Sequence, residues 1–142
     1  MGSAKDSTYL DVIKALNRQY SSREGWEVEW KPIYGDIQPE CLLWRQKAGM
    51  TQRVLVGVRM EKEVSQKAVE QLIEQARSLA QKNLPVDRKV LVVPSGAETS
   101  RVPDGIDIVT LDSYRILGDR IAWAKGLERS RFIESELQRR GV

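Results

Sequence analysis

"RVLVGVRME", residues 53–61, decides how the chain folds. Read as a strand, it places Val54, Val56, Val58 and Met60 on one face, so Leu55, Gly57 and Arg59 share the other. Glycine weakens a strand interior, and arginine is seldom buried without a partner. The Gly57/Arg59 pair is therefore either a packing device or the remains of a site. As a packing device it would be a bulge or a close backbone approach, with Arg59 reaching out from the strand end.

Upstream, "ECLLWRQ" (40–46) and the turn-like "KAGMT" (47–51) make a hairpin with this strand. "WEVEWKPIY" (26–34) alternates with Trp26, Val28 and Trp30 on one face until Pro32 interrupts it, which gives a preceding strand. Earlier still, Tyr9, Val12, Ile13, Leu16 and Tyr20 fall at helical spacing, with Asp6 or Ser7 as an N-cap. Downstream, residues 61–82 read as a long helix with the stripe Val64, Ala68, Leu72, Ala76 and Leu79, widened by Val69, Ile73 and Ala80 and ended by Asn83 and Pro85. "RKVLVVP" (88–94) is then a strand covered on both faces, joined to the opening strand by a parallel crossover, and "IDIVTL" (106–111) is a further short strand. A terminal helical region is expected from about Tyr114, capped by Asp112 or Ser113. The result is one α/β domain of order α-β-β-β-α-β-β-α, with residues 1–7 disordered and 113–142 a C-terminal helical extension.

Composition narrows the chemistry. The chain of 142 residues has no histidine, which removes a His general base, Ser-His-Asp and Cys-His nucleophiles and the usual zinc sites. Carboxylates, lysines, hydroxyls and an oxygen-bound metal such as magnesium remain. Cys41 is the single cysteine, so no intrachain disulfide forms, and its place at a strand start suits a small buried hydrophobe. No run is long and apolar enough for a bilayer span, and "MGSAKDS" lacks the apolar region of a secretory signal, so a cytoplasmic location is expected. Residues 1–112 carry 16 basic and 16 acidic side chains, whereas 113–142 carry 7 and 4. The net charge of +3 therefore lies in the tail, either as a solvated helix face or as a phosphate-binding element with Arg120, Lys125, Arg129, Arg131, Arg139 and Arg140 as its cations.

The element order, a Pro-acid pair opening the second strand ("PECLLW", Pro39 and Glu40) and a charged position in the third together resemble the restriction-endonuclease-like fold of the PD-(D/E)XK nuclease superfamily, over roughly residues 8–112. The resemblance implies a central mixed sheet flanked by helices. It also implies a metal-dependent nuclease site in which Glu40 and an acid-x-lysine on the third strand hold the metal and activate water. Here the second motif reads Gly57-Val58-Arg59: a glycine stands where the acid belongs and an arginine where the lysine belongs. Glycine offers no side-chain oxygen, and an arginine stays charged, so it orients anions but hardly exchanges a proton. Some relatives carry a glutamine and a tyrosine four residues apart on the following helix; "QLIEQA" supplies Gln71, with Gln75 in place of the tyrosine.

The expectation is thus a nuclease-like domain that has lost catalysis and binds nucleic acid, weakly, or a protein of a nucleic-acid-processing system, without a cofactor and with homodimerisation open to it. Two further readings stand beside it. Asp36, Gln38 and Glu40 share a strand face and Glu61 lies beyond Arg59, so a rearranged magnesium site built on Glu40 and Asp36 would make an active nuclease. An interaction module would use Trp44, Trp123 and the terminal helix. A small-molecule site in the loop "PSGAETSRVPDG" (94–105) is the weakest alternative, because no P-loop or GxGxxG spacing accompanies it.

Overall fold

A computed structural model describes residues 3–118 and 120–123 of the chain, with side chains from Tyr9 onward. The elements are α1 (Ser3–Asn17), a 3-10 turn (Ser22–Glu24), β1 (Glu27–Trp30), β2 (Cys41–Lys47), β3 (Met50–Val58), α2 (Gln66–Gln81), β4 (Arg88–Ser95), β5 (Ile106–Leu117) and β6 (Arg120–Trp123). The six strands among the described residues form one mixed sheet in chain order. Strands β1, β2 and β3 pair antiparallel, β3, β4 and β5 parallel, and β5 and β6 antiparallel.

Strand alternation builds two cores, one on each side of the sheet. Val54, Val56 and Val58 pack with Cys41, Leu43, Val90, Val92 and Leu111 beneath Val12, Ala15 and Leu16 of α1. Leu55 faces the other way, with Leu42, Leu91 and Val93, beneath Ala68, Val69, Leu72 and Leu79 of α2. Strand β4 is buried on both faces, as its unbroken apolar run requires. Aromatic edges close the α1 side, where the Tyr9 ring meets Trp30 at 4.8 Å and Tyr20 meets Trp26 at 5.1 Å between centroids.

Local chemistry sets the element ends. Strands β2 and β3 join through Ala48 and Gly49, both at positive φ (54° and 78°), a two-residue turn whose twist suits the hairpin. The Oγ of Ser65 accepts the Ala68 amide and caps α2, and Asn83 at φ 63° ends it. The helix is therefore shorter at its start than the 61–82 span expected from periodicity, because residues 61–64 run as connector. Val69 joins the buried stripe, whereas Ile73 and Ala80 are exposed. Helix α1 begins at Ser3, ahead of the expected cap at Asp6 or Ser7 and inside the segment expected to be disordered.

The expected helix from Tyr114 is overturned as far as Trp123. Residues 114–123 are not helical: β5 continues to Leu117, turns at Gly118 (φ 63°) and returns as β6, pairing Tyr114 with Trp123 and Leu117 with Arg120. Among the described residues the element order therefore closes with a hairpin where the start of a helix was expected. Alternating Tyr114, Ile116, Ile121 and Trp123 across a Gly-Asp pair prefer the extended state, and the pairing of β5 with β6 satisfies it. Residues 124–142, where the rest of the expected helix lies, fall outside the described residues.

Candidate functional site

The antiparallel register pairs Cys41 with Val56, so Glu40 comes to lie beside Gly57 on the face that α2 covers. From there the Glu40 carboxylate reaches the strand end. Its Oε1 accepts the Val58 amide at 3.2 Å and contacts Nη1 of Arg59 directly. The same nitrogen donates to the Val58 carbonyl at 3.1 Å, and Nη2 of Arg59 donates to Oε1 of Gln71 at 2.9 Å. Glu40 before β2, Arg59 after β3 and Gln71 on α2 therefore form one connected polar cluster. The Arg59 and Glu40 side chains are 24% and 34% exposed, so the pair is screened by solvent only in part.

Gly57 makes no polar contact in that cluster and acts through packing. A Cβ built on it would lie 3.1 Å from Cδ2 of Leu91 and 3.3 Å from Cδ1 of Leu72. The glycine lets α2 approach the sheet, which is the packing role that its strand position allowed. An acid there would start inside the apolar contact between β4 and α2.

This donor set does not fit magnesium. Gly57 supplies no side-chain oxygen, and the Oε1 of Glu40 already has a cation and an amide as partners. Asp36, the second expected ligand, pairs instead with Lys82 at 3.4 Å. Among the described residues, no three His, Cys, Asp or Glu side chains gather as a metal site would require.

A cleft of about 450 Å³ opens next to the cluster. The loop residues Asp36, Ile37 and Gln38 form one wall, and Gln71, Glu74, Gln75 and Ser78 of α2 form the other. The loop is held from three sides. Tyr34 and Ile37 exchange backbone hydrogen bonds, Ile37 inserts into the α2 core, and the Tyr34 hydroxyl donates to Glu29 at 2.9 Å. Burial, followed by that bond to Glu29, pushes the Tyr34 hydroxyl above its ordinary pKa. Sequence alone singles out Gln71 and Gln75 but not Glu74 or Ser78. Their signal is the polar flank Gln71, Gln75, Ser78 at helical spacing, which looks like any solvated helix edge until a loop packs across it.

The remaining candidates separate. Cys41 is fully buried, and burial first, then the nearby Glu40 charge, pushes its thiol up to about 12. Arg120 lies on β6, whereas Lys125, Arg129, Arg131, Arg139 and Arg140 lie outside the described residues. Trp44 is half-buried on β2 beside Tyr34 and Arg53. The 94–105 loop is pinned to the β3–α2 connection by backbone bonds between Glu98 and residues 62 and 64 and by an Arg101–Glu63 ion pair at 3.3 Å. Among the described residues no helix is long and apolar enough to cross a membrane. Comparison with protein-family models, with curated proteins and with solved structures finds no match to the chain.

Proposed function

We propose that the chain is a nuclease-like domain that no longer cuts, retained to bind nucleic acid or a partner in a nucleic-acid-processing system. The carrying observation is the Glu40–Arg59–Gln71 cluster. Three positions that the PD-(D/E)XK resemblance names as functional, far apart in sequence, come together at one strand end. Agreement with the resemblance extends to the order of an N-terminal helix, three antiparallel strands, a crossover helix and a parallel strand. What has changed is the chemistry. A permanent cation now stands on the carboxylate that would have held a metal, and an ion pair of this kind neither activates water nor accepts its proton.

The test has two arms. Calorimetry with magnesium and manganese on the purified chain should show no tight binding, and supercoiled and linear DNA should survive incubation with either metal. Cutting that Glu40→Ala abolishes would refute the reading and restore an active nuclease with a rearranged site. Binding to short duplex DNA should be weak and should fall steeply with salt, as phosphate neutralisation requires. Absence of binding at low salt would leave the protein-partner form of the proposal, in which the half-buried Trp44 is the first aromatic to substitute.

A further inference from the structure

We propose that the cleft between the 36–38 loop and α2 takes the polar edge of a single unpaired nucleobase. The cleft shares Gln71 with the Glu40–Arg59 cluster, and only the choice of nucleic acid as the source of that edge rests on the nuclease-like reading. Two amides in the wall are already oriented. Arg59 can only donate, so Gln71 must turn its carbonyl oxygen to it, leaving the Nε2 hydrogens as donors. The Lys31 carbonyl can only accept, so Gln38 turns its Nε2 to it at 3.3 Å and keeps its oxygen as an acceptor. Gln75 and Ser78 add neutral donors and acceptors, and Ile37 supplies apolar surface.

The charge excludes the commoner ligand. The two charged groups of the lining are the carboxylates of Asp36 and Glu74, and each has its cation outside the wall, Lys82 and Arg77 respectively. A phosphate would meet carboxylates and amides with no cation facing it from the lining. An uncharged edge bearing a donor and an acceptor side by side matches the oriented pair, and every nucleobase carries one. The cleft is a compact spot bounded by side chains and offers no free strand edge, so it fits one planar group better than an extended main chain.

Titrating the 15N-labelled full chain with adenosine or cytidine tests this by NMR. The side-chain NH2 signals of Gln38, Gln71 and Gln75 and the backbone signals of residues 36–38 and 71–78 should move saturably. Inorganic phosphate and ribose 5-phosphate should leave them in place. The double change Gln38→Ala with Gln75→Ala, at positions with exposed or half-exposed side chains, should weaken the nucleoside response about fivefold or more. Unmoved signals with both nucleosides, an equal response to phosphate, or an equal response to acetyl-trialanine amide would each overturn the proposal, the last in favour of a peptide. DNA cutting by the unmodified chain would sink the inert-site reading without touching this result, so the two failures are distinguishable.

Discussion

Replacing Arg59 by methionine keeps a long unbranched side chain and removes the guanidinium that ties β2, β3 and α2 together. The variant would forfeit the bonds to Glu40, to Gln71 at 2.9 Å and to the Val58 carbonyl at 3.1 Å. Exposed ion pairs contribute about 0–1 kcal/mol, and breaking a buried one costs about 3–5 kcal/mol. With side chains 24% and 34% exposed, this pair lies between those limits. Glu40 would also keep the Val58 amide as a partner, which limits the penalty of leaving it unpaired. The expected loss is therefore about 2 kcal/mol, or a fall in Tm of roughly 6 °C for a domain of this length. Glu40→Gln keeps an acceptor for the amide and should cost about 1 kcal/mol. Urea unfolding of both single variants and the double variant closes the cycle, and the coupling energy should be about 1–1.5 kcal/mol. A coupling below about 0.5 kcal/mol would mean that each charge is separately solvated, and Arg59 could then not be what holds the Glu40 carboxylate.

Gly57→Ala should change stability by less than about 1 kcal/mol, because lost chain entropy in the unfolded state offsets a contact that two leucine methyl tips can relieve. Gly57→Glu should cost about 2–4 kcal/mol in urea and gain no magnesium affinity by calorimetry, because its carboxylate would start between Leu72 and Leu91; a stable, metal-binding variant would refute that placement. Cys41 should resist a thiol reagent at pH 8 in the folded state and react fully in urea. Its folded pKa of about 12 lies above the unfolded value, so this group leaves stability unchanged below about pH 9 and lowers it as pH rises from there towards 12, by up to about 1.4 kcal/mol per unit. Cys41→Ala should remove that share of the alkaline slope, leaving a part from Tyr34 above pH 10. Ala48→Asn should stabilise the chain by about 0.5–1 kcal/mol in thermal unfolding, because asparagine tolerates the positive φ that alanine holds in the β2–β3 turn.

The fold was legible where burial enforces a period. Strand β3 alternates between two cores, β4 is apolar from Val90 to Pro94, and α2 carries a stripe, so each could form only one kind of element without exposing its apolar face. The error at 114–123 has an equally specific cause. Arg115, Asp119 and Arg120 within "YRILGDRIAW" and the mixed charge that follows it make it read as part of the charged tail, and Asp112 and Ser113 offer a helix start. Yet the stretch holds a Gly-Asp pair between two alternating apolar runs, which is itself a hairpin signal. Pairing decides the outcome, because Arg115 pairs with Ser95 of β4 beyond a register shift and carries β5 onward as a strand.

For the site, sequence could name residues but not their directions. Glu40 and Arg59 were found because a proline-acid pair and a hairpin of known length place them on one face, and period-2 geometry leaves little freedom. Gly57 shares that face with Arg59, so the same rule grouped them, although they serve different ends. Two residues along the strand separate the apolar contact with Leu72 from the polar contact with Gln71, the preceding residue on α2. The boundary between core and site thus runs between consecutive residues of one helix. The glycine admits the helix at Leu72, and this close approach brings Gln71 within reach of Arg59, so the missing side chain at 57 helps to hold the Glu40–Arg59–Gln71 cluster together.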